Sequence, residues 1–208
     1  MQRRPAMMLL RTAMMAMAIS VAAMTNPLSA QESASASDQA VHLDVTVAYN
    51  TTLADIMTND GLRTYSFLQG GSAQFHSRFY RGLGAAIDVS GGYTSNFNNN
   101  GLGLSLITVV VGPRYTWVLP RQTKYELYGQ ALGGEAFGIN GYFPTSTGIV
   151  SNANSLALEV GGGMNIALRP HLALRAFQLN WLRTQLPNSA TNVQNYAQVG
   201  VGVTYRFR

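Results

Sequence analysis

The chain contains no cysteine, and beyond its first 30 residues it contains no long apolar run. Without cysteine, the protein cannot depend on disulfide bonds, and its amino terminus cannot carry a cysteine-linked lipid. The missing apolar run excludes a transmembrane helix after the leader, because such a helix needs roughly 20 consecutive apolar residues. The fold must therefore be stabilised by other means.

Residues 1–30 have the three parts of a secretory signal peptide. Three arginines form a basic head, residues 12–24 carry no charge, and small residues end the segment at Ala30. The uncharged stretch is shorter than the roughly 20 residues of a spanning helix. We therefore predict export with cleavage near Ala30, a solvated linker at 31–40 and a single domain at 41–208.

The positive charge of the chain comes largely from the leader. The whole chain has 14 Lys and Arg residues against 9 Asp and Glu residues. Three of the 14 basic residues lie in the leader, so 11 remain and the mature net charge is +2. The sequence pI of 9.7 is thus no sign of a basic binding surface, and we predict no nucleic-acid partner.

Eight segments beyond residue 40 alternate apolar and polar residues, which is the period of a β-strand. In the closing segment one parity is apolar throughout: Ala197, Val199, Val201, Val203, Tyr205 and Phe207. This alternation lasts roughly 12 residues, whereas an ordinary strand has about 5 or 6. A tilted strand needs roughly 9 to 11 residues to cross a bilayer, so the length favours a membrane-spanning strand.

Two of these segments contain an irregularity. In the seventh segment the polar parity shifts by one residue, which predicts a β-bulge near Ala176 or Phe177. In the fourth segment, Gly112 and Pro113 predict a bulge or a kink, because proline has no N–H to give to a closed ladder. The fifth segment, residues 124–138, is strand-like, and its pattern does not assign the faces of the whole strand.

The connections between the segments alternate between long and short. Long connections at residues 50–66, 95–101, 139–154 and 185–193 alternate with short ones at 80–82, 119–123 and 169–170. This rhythm is typical of an outer-membrane barrel with short periplasmic turns and longer external loops. We predict an all-β fold, an eight-stranded antiparallel up-and-down transmembrane β-barrel, located in the outer membrane with both termini in the periplasm.

Aromatic residues lie near the ends of the predicted strands, where the two interfacial girdles of a membrane barrel would place them. The girdle residues predicted on this basis are Tyr49, Tyr93, Tyr115, Trp117, Trp181, Tyr205 and Phe207. The alternative interpretation, core aromatics of a soluble sandwich, would put more of them in the middle of strands.

The strand count, the loop rhythm and the ending V-G-V-G-V-T-Y-R-F at residues 199–207 resemble a known family. This family comprises the small outer-membrane β-barrel proteins of Gram-negative bacteria, of the type formed by the membrane domain of outer-membrane protein A. Residues 111–117 and 159–184 also look like that domain, and the resemblance covers residues 41–207.

The resemblance implies partners and an assembly signal. The partners are outer-membrane lipid and lipopolysaccharide, with the barrel-assembly machinery and periplasmic chaperones acting during biogenesis. The aromatic residues Tyr205 and Phe207 would form the assembly signal. Family members usually end on the aromatic residue, whereas Arg208 follows it here.

The interior of an eight-stranded barrel is wide enough only for its own side chains. The charged residues predicted to point inward are Asp44, Arg78, Asp88, Arg114, Glu126, Glu159 and Arg175, together with His42 and His76. Their nearly balanced charges predict a paired, hydrogen-bonded plug, because unpaired buried charges are costly. A narrow or gated conductance stays open as an alternative, since ion pairs can exchange partners.

No motif for catalysis, cofactor binding or metal binding stands out. The glycine-rich segments lack the phosphate-loop pattern G-x-x-x-x-G-K-[ST]. The adjacent His76 and Ser77 would point to opposite faces of a strand, and the three histidines lack metal-ligand spacing. We therefore predict no enzymatic activity, no cofactor and no metal.

The function predicted from these patterns is structural: a plugged barrel with a polar lumen that strengthens the outer membrane and displays its loops at the surface. The loops could meet an unknown extracellular ligand. The first alternative is a narrow ion or small-solute channel. The second is a soluble secreted barrel with a small apolar ligand, which would need an apolar lumen and a polar exterior.

Overall fold

A computed structural model describes residues 42–57, 63–97, 102–119, 123–145, 148–188 and 192–207. The predicted signal peptide at residues 1–30 and the predicted linker at 31–40 lie outside the described residues. Within the described residues, no helix has the length and apolar character needed to cross a membrane.

Ten strands make up the described fold. Eight of them form a closed barrel: β1 (His42–Met57), β2 (Arg63–Tyr80), β3 (Leu83–Phe97), β4 (Leu102–Val118), β5 (Tyr125–Ile139), β8 (Ala153–Arg169), β9 (Leu172–Thr184) and β10 (Gln194–Phe207). Two short strands, β6 (Phe143–Thr145) and β7 (Gly148–Val150), pair with each other in the connection from β5 to β8. The barrel order is β1-β10-β9-β8-β5-β4-β3-β2, with all pairs antiparallel. The predicted eight-stranded up-and-down barrel is confirmed.

The two ends of the barrel differ in their connections. One end, here called the short-turn end, carries the β2–β3, β4–β5 and β8–β9 turns with the start of β1 and the end of β10. The β2–β3 turn has only two residues, Arg81 and Gly82, with φ angles of 38° and 94°. Such a turn suits the twist of a hairpin and favours glycine. The opposite end is called the long-loop end.

The first long connection is shorter than predicted. β1 continues to Met57 and β2 begins at Arg63, and the two strands stay paired to these residues. The sequence pattern predicts a connection at residues 50–66. In the structure Thr52 and Ala54 are buried whereas Thr51 and Leu53 are half-buried, so the alternation of a barrel wall continues into this stretch.

The bulge predicted in the seventh barrel strand is confirmed. Two residues of β9, Ala176 and Phe177, lie opposite the single residue Val201 of β10. The register of β9 against β8 shifts at the same level, between Met164 and Asn165. The extra residue moves the polar side chains on either side of it onto the same face of the strand.

Of the bulge or kink predicted at Gly112 and Pro113, the bulge is wrong. The β3–β4 ladder passes through both residues in one register. The β4–β5 ladder has no bridge at these two residues but resumes at Arg114↔Gln130 without a shift. A missing proline N–H thus interrupts the bonding locally without inserting a residue into the strand.

The wall of the barrel is apolar outside and mixed inside. Outward residues such as Val47, Val160 and Val201 are 64%, 51% and 52% exposed. Exposed apolar residues of this kind occur on every strand of the barrel. Inward positions hold buried polar side chains, which include Gln74 and Thr108. This distribution is the inverse of a soluble barrel, and a hydrocarbon surrounding accounts for it.

The first prediction concerns two glycines on β5 and β3, the two strands that pair with β4. A Cβ added at Gly134 would lie 2.0 Å from the carbonyl oxygen of Val109 and 2.8 Å from the Cα of Val110, whereas a Cβ added at Gly91 would meet nothing within 4 Å. We expect Gly134→Ala to lower the free energy of unfolding by about 1 to 3 kcal/mol through overpacking. The matched Gly91→Ala variant should be neutral or slightly stabilising.

The measurement is urea-induced unfolding of both variants in lipid vesicles, followed by heat-dependent gel mobility. Equal unfolding midpoints for the two alanine variants would show that contact between β4 and β5 is looser than described.

Candidate functional site: the lumen of the barrel

The seven charged residues predicted for the lumen all lie on the inner parity of their strands. Six of them are buried, namely Asp44, Asp88, Arg114, Glu126, Glu159 and Arg175. The side chain of Arg78 is 22% exposed because it lies near the short-turn end. Each strand of the barrel except β10 contributes at least one of these charges, so they surround the lumen.

Three amide side chains connect the charged residues across the lumen. Gln74 Nε2 donates to Asp88 Oδ2 at 3.1 Å and to Gln130 Oε1 at 3.1 Å. The Gln130 Nε2 group in turn donates to Glu159 Oε1 at 3.0 Å, and Asn180 Nδ2 donates to the same oxygen at 2.9 Å. We call this set, with Arg114, the amide layer.

Arg114 completes the amide layer from β4 by donating from Nη1 to Gln74 Oε1. Among the described residues, Asp88 and Glu159 form no direct ion pair with an arginine, and amides lie between the opposite charges. Amides can donate and accept at once, so one layer joins six strands by hydrogen bonds.

A second group surrounds Arg175 on β9. Its Nη1 donates to Gln178 Oε1 at 2.7 Å, its Nη2 donates to Thr46 Oγ1 at 3.0 Å, and its Nε donates to Asn165 Oδ1 at 3.3 Å. The guanidinium carbon also lies 4.8 Å from the ring centre of Tyr128. Every side of this buried cation therefore meets an acceptor or an aromatic face.

The ring of Tyr128 joins the two groups. The guanidinium carbon of Arg114 lies 3.7 Å from the centre of this ring, closer than that of Arg175. Two like charges thus share one aromatic side chain, whose hydroxyl donates to Gln178 Oε1 at 3.3 Å. The π face offsets part of the cost of burying two guanidinium groups near each other.

Direct ion pairs occur at the short-turn end. Arg206 Nη2 contacts Glu126 Oε2 at 2.7 Å, and both side chains are about nine-tenths buried. Asp44 Oδ2 lies 3.6 Å from His76 Nδ1 and 3.9 Å from Arg78 Nη2. The Arg206–Glu126 pair crosses the lumen from β10 to β5, two strands that are separated in the wall by β9 and β8.

Arg206 is a lumen residue that the sequence pattern did not lead us to predict. Its place near the carboxyl terminus suits an exposed interfacial residue, and it was not included in the predicted lumen set. In the structure it is 8% exposed and points inward. Strand parity could have predicted that Arg206 points inward, because it shares its parity with Thr204 and Gln198 of the closing strand.

The lumen also holds apolar side chains, which the prediction of a polar network did not include. They form a cluster of buried residues, most of them toward the long-loop end: Ala54, Leu68, Ala86, Leu104, Leu106, Val110, Leu132, Ala136, Phe143, Ala157, Leu182, Leu186 and Tyr196. We call this cluster the apolar plug. It lies on the inner parity among polar residues, which is why strand alternation alone did not distinguish it.

Phe143 of β6 closes the apolar plug from the loop side. A Cβ added at Gly138 or at Gly141 would lie 2.2 Å or 2.8 Å from the Phe143 ring, so the ring lies directly on these two glycines. Leu104 lies beside Gly141 as well. The phenylalanine ring is 3% exposed although it belongs to a loop hairpin, so this loop is anchored in the mouth of the barrel.

The seven predicted girdle residues all point outward. Their exposures range from 38% for Tyr115 to 55% for Tyr93. Tyr115 packs against Trp117 with ring centres 4.6 Å apart, and Tyr205 packs edge to face against Phe207 at 4.8 Å. These two pairs lie at the short-turn end, where they form apolar surface at one level of the outer wall.

The adjacent His76 and Ser77 do not form a nucleophile–base pair. His76 is buried in the lumen at 2% exposure, and Ser77 lies on the outward parity of β2. The described residues contain no group of three or more histidine, cysteine, aspartate or glutamate side chains that could hold a metal ion. The described lumen side chains join opposite charges through hydrogen bonds and ion pairs.

The comparisons with known proteins concern the fold. No protein-family model and no curated protein matches the sequence. Among solved structures, Neisserial surface protein A matches with a TM-score of 0.59 and 16% identity, over 79% of this chain and 97% of that chain. The attachment invasion locus protein of Yersinia pestis, solved in complex with the heparin analogue sucrose octasulfate, matches with a TM-score of 0.52 and 15% identity, over 80% and 99%. The chain shares its barrel fold with both.

The second prediction concerns the buried pair at the short-turn end. Removing one partner leaves the other charge buried without compensation, which costs about 3 kcal/mol or more. We expect Arg206→Met and Glu126→Gln each to lower the free energy of unfolding by about that amount. The double variant should lose less than the sum of the two, and urea unfolding in vesicles measures the coupling. Strict additivity would show that the two side chains do not stabilise each other.

Proposed function

We propose that this chain is an outer-membrane β-barrel protein with a structural and surface-display role and without chemistry of its own. The barrel crosses the membrane, its lumen is closed, and its long loops face the cell exterior. The support for a membrane location is the apolar outer wall, the closed ladder and a fold shared with Neisserial surface protein A.

The observation that carries the proposal is the double closure of the lumen. The amide layer and the Arg175 group fill the interior toward the short-turn end, and the apolar plug fills it toward the long-loop end. An ion would have to cross a network of mutually bonded charges and then an apolar segment, and both steps are costly. A closed interior leaves the outer surface and the loops as the parts able to act.

The proposed orientation places the short-turn end in the periplasm and the long-loop end outside. The β6–β7 hairpin then stands at the cell surface, where Tyr142 and Ile149 are 56% and 58% exposed. An extracellular ligand would meet these loops, and lipid or lipopolysaccharide would surround the wall. During biogenesis the partners would be periplasmic chaperones and the barrel-assembly machinery.

The third prediction is the location of the protein in cells. We expect it in the outer-membrane fraction, with a gel mobility that changes when the sample is boiled, because a closed barrel resists detergent until heated. Fractionation followed by gel electrophoresis with and without boiling is the measurement. Recovery of a soluble protein from the periplasm or the medium would contradict the proposal.

The same experiment tests the proposed assembly signal formed by Tyr205 and Phe207. Phe207 pairs with Leu43 at the seam where β10 closes against β1. We expect Phe207→Ala to reduce the amount of heat-modifiable barrel, while Val203→Ala, an equally exposed position of the same strand, leaves it unchanged. Equal losses in both variants would indicate a packing effect rather than a signal.

A narrow channel is the second candidate, and one observation favours it. Asp88 Oδ1, Glu159 Oε2 and Arg114 Nε are buried without a hydrogen-bond partner, so the amide layer retains polar groups that could change partners. A rearranged layer could in principle leave a path beside it. The apolar plug would still have to open.

The fourth prediction separates the two candidates. In planar bilayers we expect no steady single-channel conductance from the wild-type protein. Glu159→Gln and Arg114→Gln should also stay closed, because the apolar plug does not depend on either charge. A wild-type conductance that changes in the Glu159→Gln variant would favour the channel and overturn the closed barrel.

A further inference from the structure

A shallow groove with a volume of ≈ 420 Å³ runs across the outer wall at strands β1 to β4. Its outward-pointing lining consists of Val47, Gly71, Ala73, Val89, Gly91 and Ile107. In the register of the barrel, Gly71 and Gly91 lie side by side between Tyr49 on β1 and Ile107 on β4. Two adjacent strands therefore present bare backbone, while taller side chains stand on both sides.

The folding of the chain does not require a glycine at position 91. The φ angle of Gly91 does not lie in the left-handed region, and a Cβ added there would meet nothing within 4 Å. Other barrel glycines, such as Gly112 and Gly134, would clash with neighbouring backbone if they carried a Cβ. Glycine within a strand weakens the strand and often marks close approach of another molecule. The space above Gly91 is therefore available to something outside the barrel.

A polar rim borders the groove on the side of the long-loop end. In the next row of the register, Gln69 lies between Thr51 on β1 and Tyr93 on β3. The hydroxyl of Tyr49 donates to Gln69 Oε1 at 3.2 Å. With its oxygen engaged, the Gln69 amide has its Nε2 group left to donate to an outside acceptor.

We propose that this groove is a binding site for one lipid acyl chain, with the carbonyl or hydroxyl group at the head of that chain placed at the Gln69 rim. The groove is continuous with the apolar outer wall that faces the hydrocarbon in the proposed function, and the inference rests on that function. An apolar slot with a donor at one end matches an acyl chain that begins at an ester or amide group.

A second copy of the chain fits the groove less well. Stable protein interfaces bury about 1,200 to 2,000 Å² with about 20 to 30 residues on each side. The groove is lined by nine residues, of which three point into the lumen and contribute only backbone. The contact it offers is thus the size of one chain of a lipid rather than of a protein.

The test uses light-induced crosslinking in vesicles of phosphatidylethanolamine, of which a fraction carries a diazirine on one acyl chain. Adducts are mapped by mass spectrometry of the full-length folded protein. We expect adduct yields at Val89 and Ile107 about fourfold above those at Val160 and Leu179 on the opposite wall, the ratio that one more buried methylene group produces.

Two leucine variants provide the matched comparison. Gly91→Leu fills the groove and should lower the Val89 and Ile107 yields to those of the opposite wall. Gly133→Leu adds the same side chain at another outward glycine, where a Cβ would have only an ordinary 3.6 Å contact with Leu158, and should leave the groove yields unchanged. Heat-dependent gel mobility verifies that both variants fold.

Three outcomes would overturn the proposal. Equal yields around the whole wall would show an unselective lipid belt and leave the membrane barrel intact. Groove yields that rise as the ratio of protein to lipid falls would make a second copy the occupant. An absence of acyl adducts anywhere on the outer wall would overturn the groove and the proposed membrane function together.

Discussion

The rest of the structure depends on the pairing of β1 with β10, which closes the ladder. In hydrocarbon, an unpaired backbone N–H or C=O group costs several kcal/mol, so a sheet with free edges cannot span a membrane. The seam runs from Leu43↔Phe207 to Asp55↔Asn195 without a register shift. Because the first and last strands of the barrel meet at this seam, the barrel is closed only when the last strand is in place.

Closure with eight strands fixes how much space the interior offers. The interior of the barrel is narrow enough for side chains from distant strands to meet, as the 2.7 Å contact between Arg206 and Glu126 illustrates. Such a space can hold large polar side chains only where others are small. Gly161 leaves room for the amide of Asn180, since a Cβ there would lie 2.0 Å from Asn180 Oδ1. Glycine placement and the amide layer are thus two parts of the same packing solution.

Strand parity predicted a large part of this molecule, and its failures have physical reasons. The bulge at Ala176 could be found because an inserted residue shifts parity, and parity is visible in the sequence. The pattern does not report how far a strand pair extends, so the far end of β1 was assigned to a loop. Thr52 points inward there, and an inward polar residue of a strand cannot be told from a loop residue by its polarity alone.

Strand parity also did not predict that polar and apolar side chains occupy different parts of the lumen. Strand parity states that a side chain points inward, but it does not state which other side chains it contacts. An inward leucine or alanine on one strand therefore looks like an isolated exception among polar residues. Only the stagger of the strands brings Leu68, Leu104 and Leu182 to one level. Hydrogen-bond partners such as Gln74 and Gln130 depend on the same stagger, since they lie on non-adjacent strands.

The two halves of the lumen serve closure in different ways. Polar groups near the short-turn end depend on partners, so their network tolerates exchange but not removal of one member. The apolar plug needs no partners and excludes water by packing, with Phe143 tying a surface loop to the same core. The same two kinds of side chain therefore account for both the packing and the pairing of the described lumen.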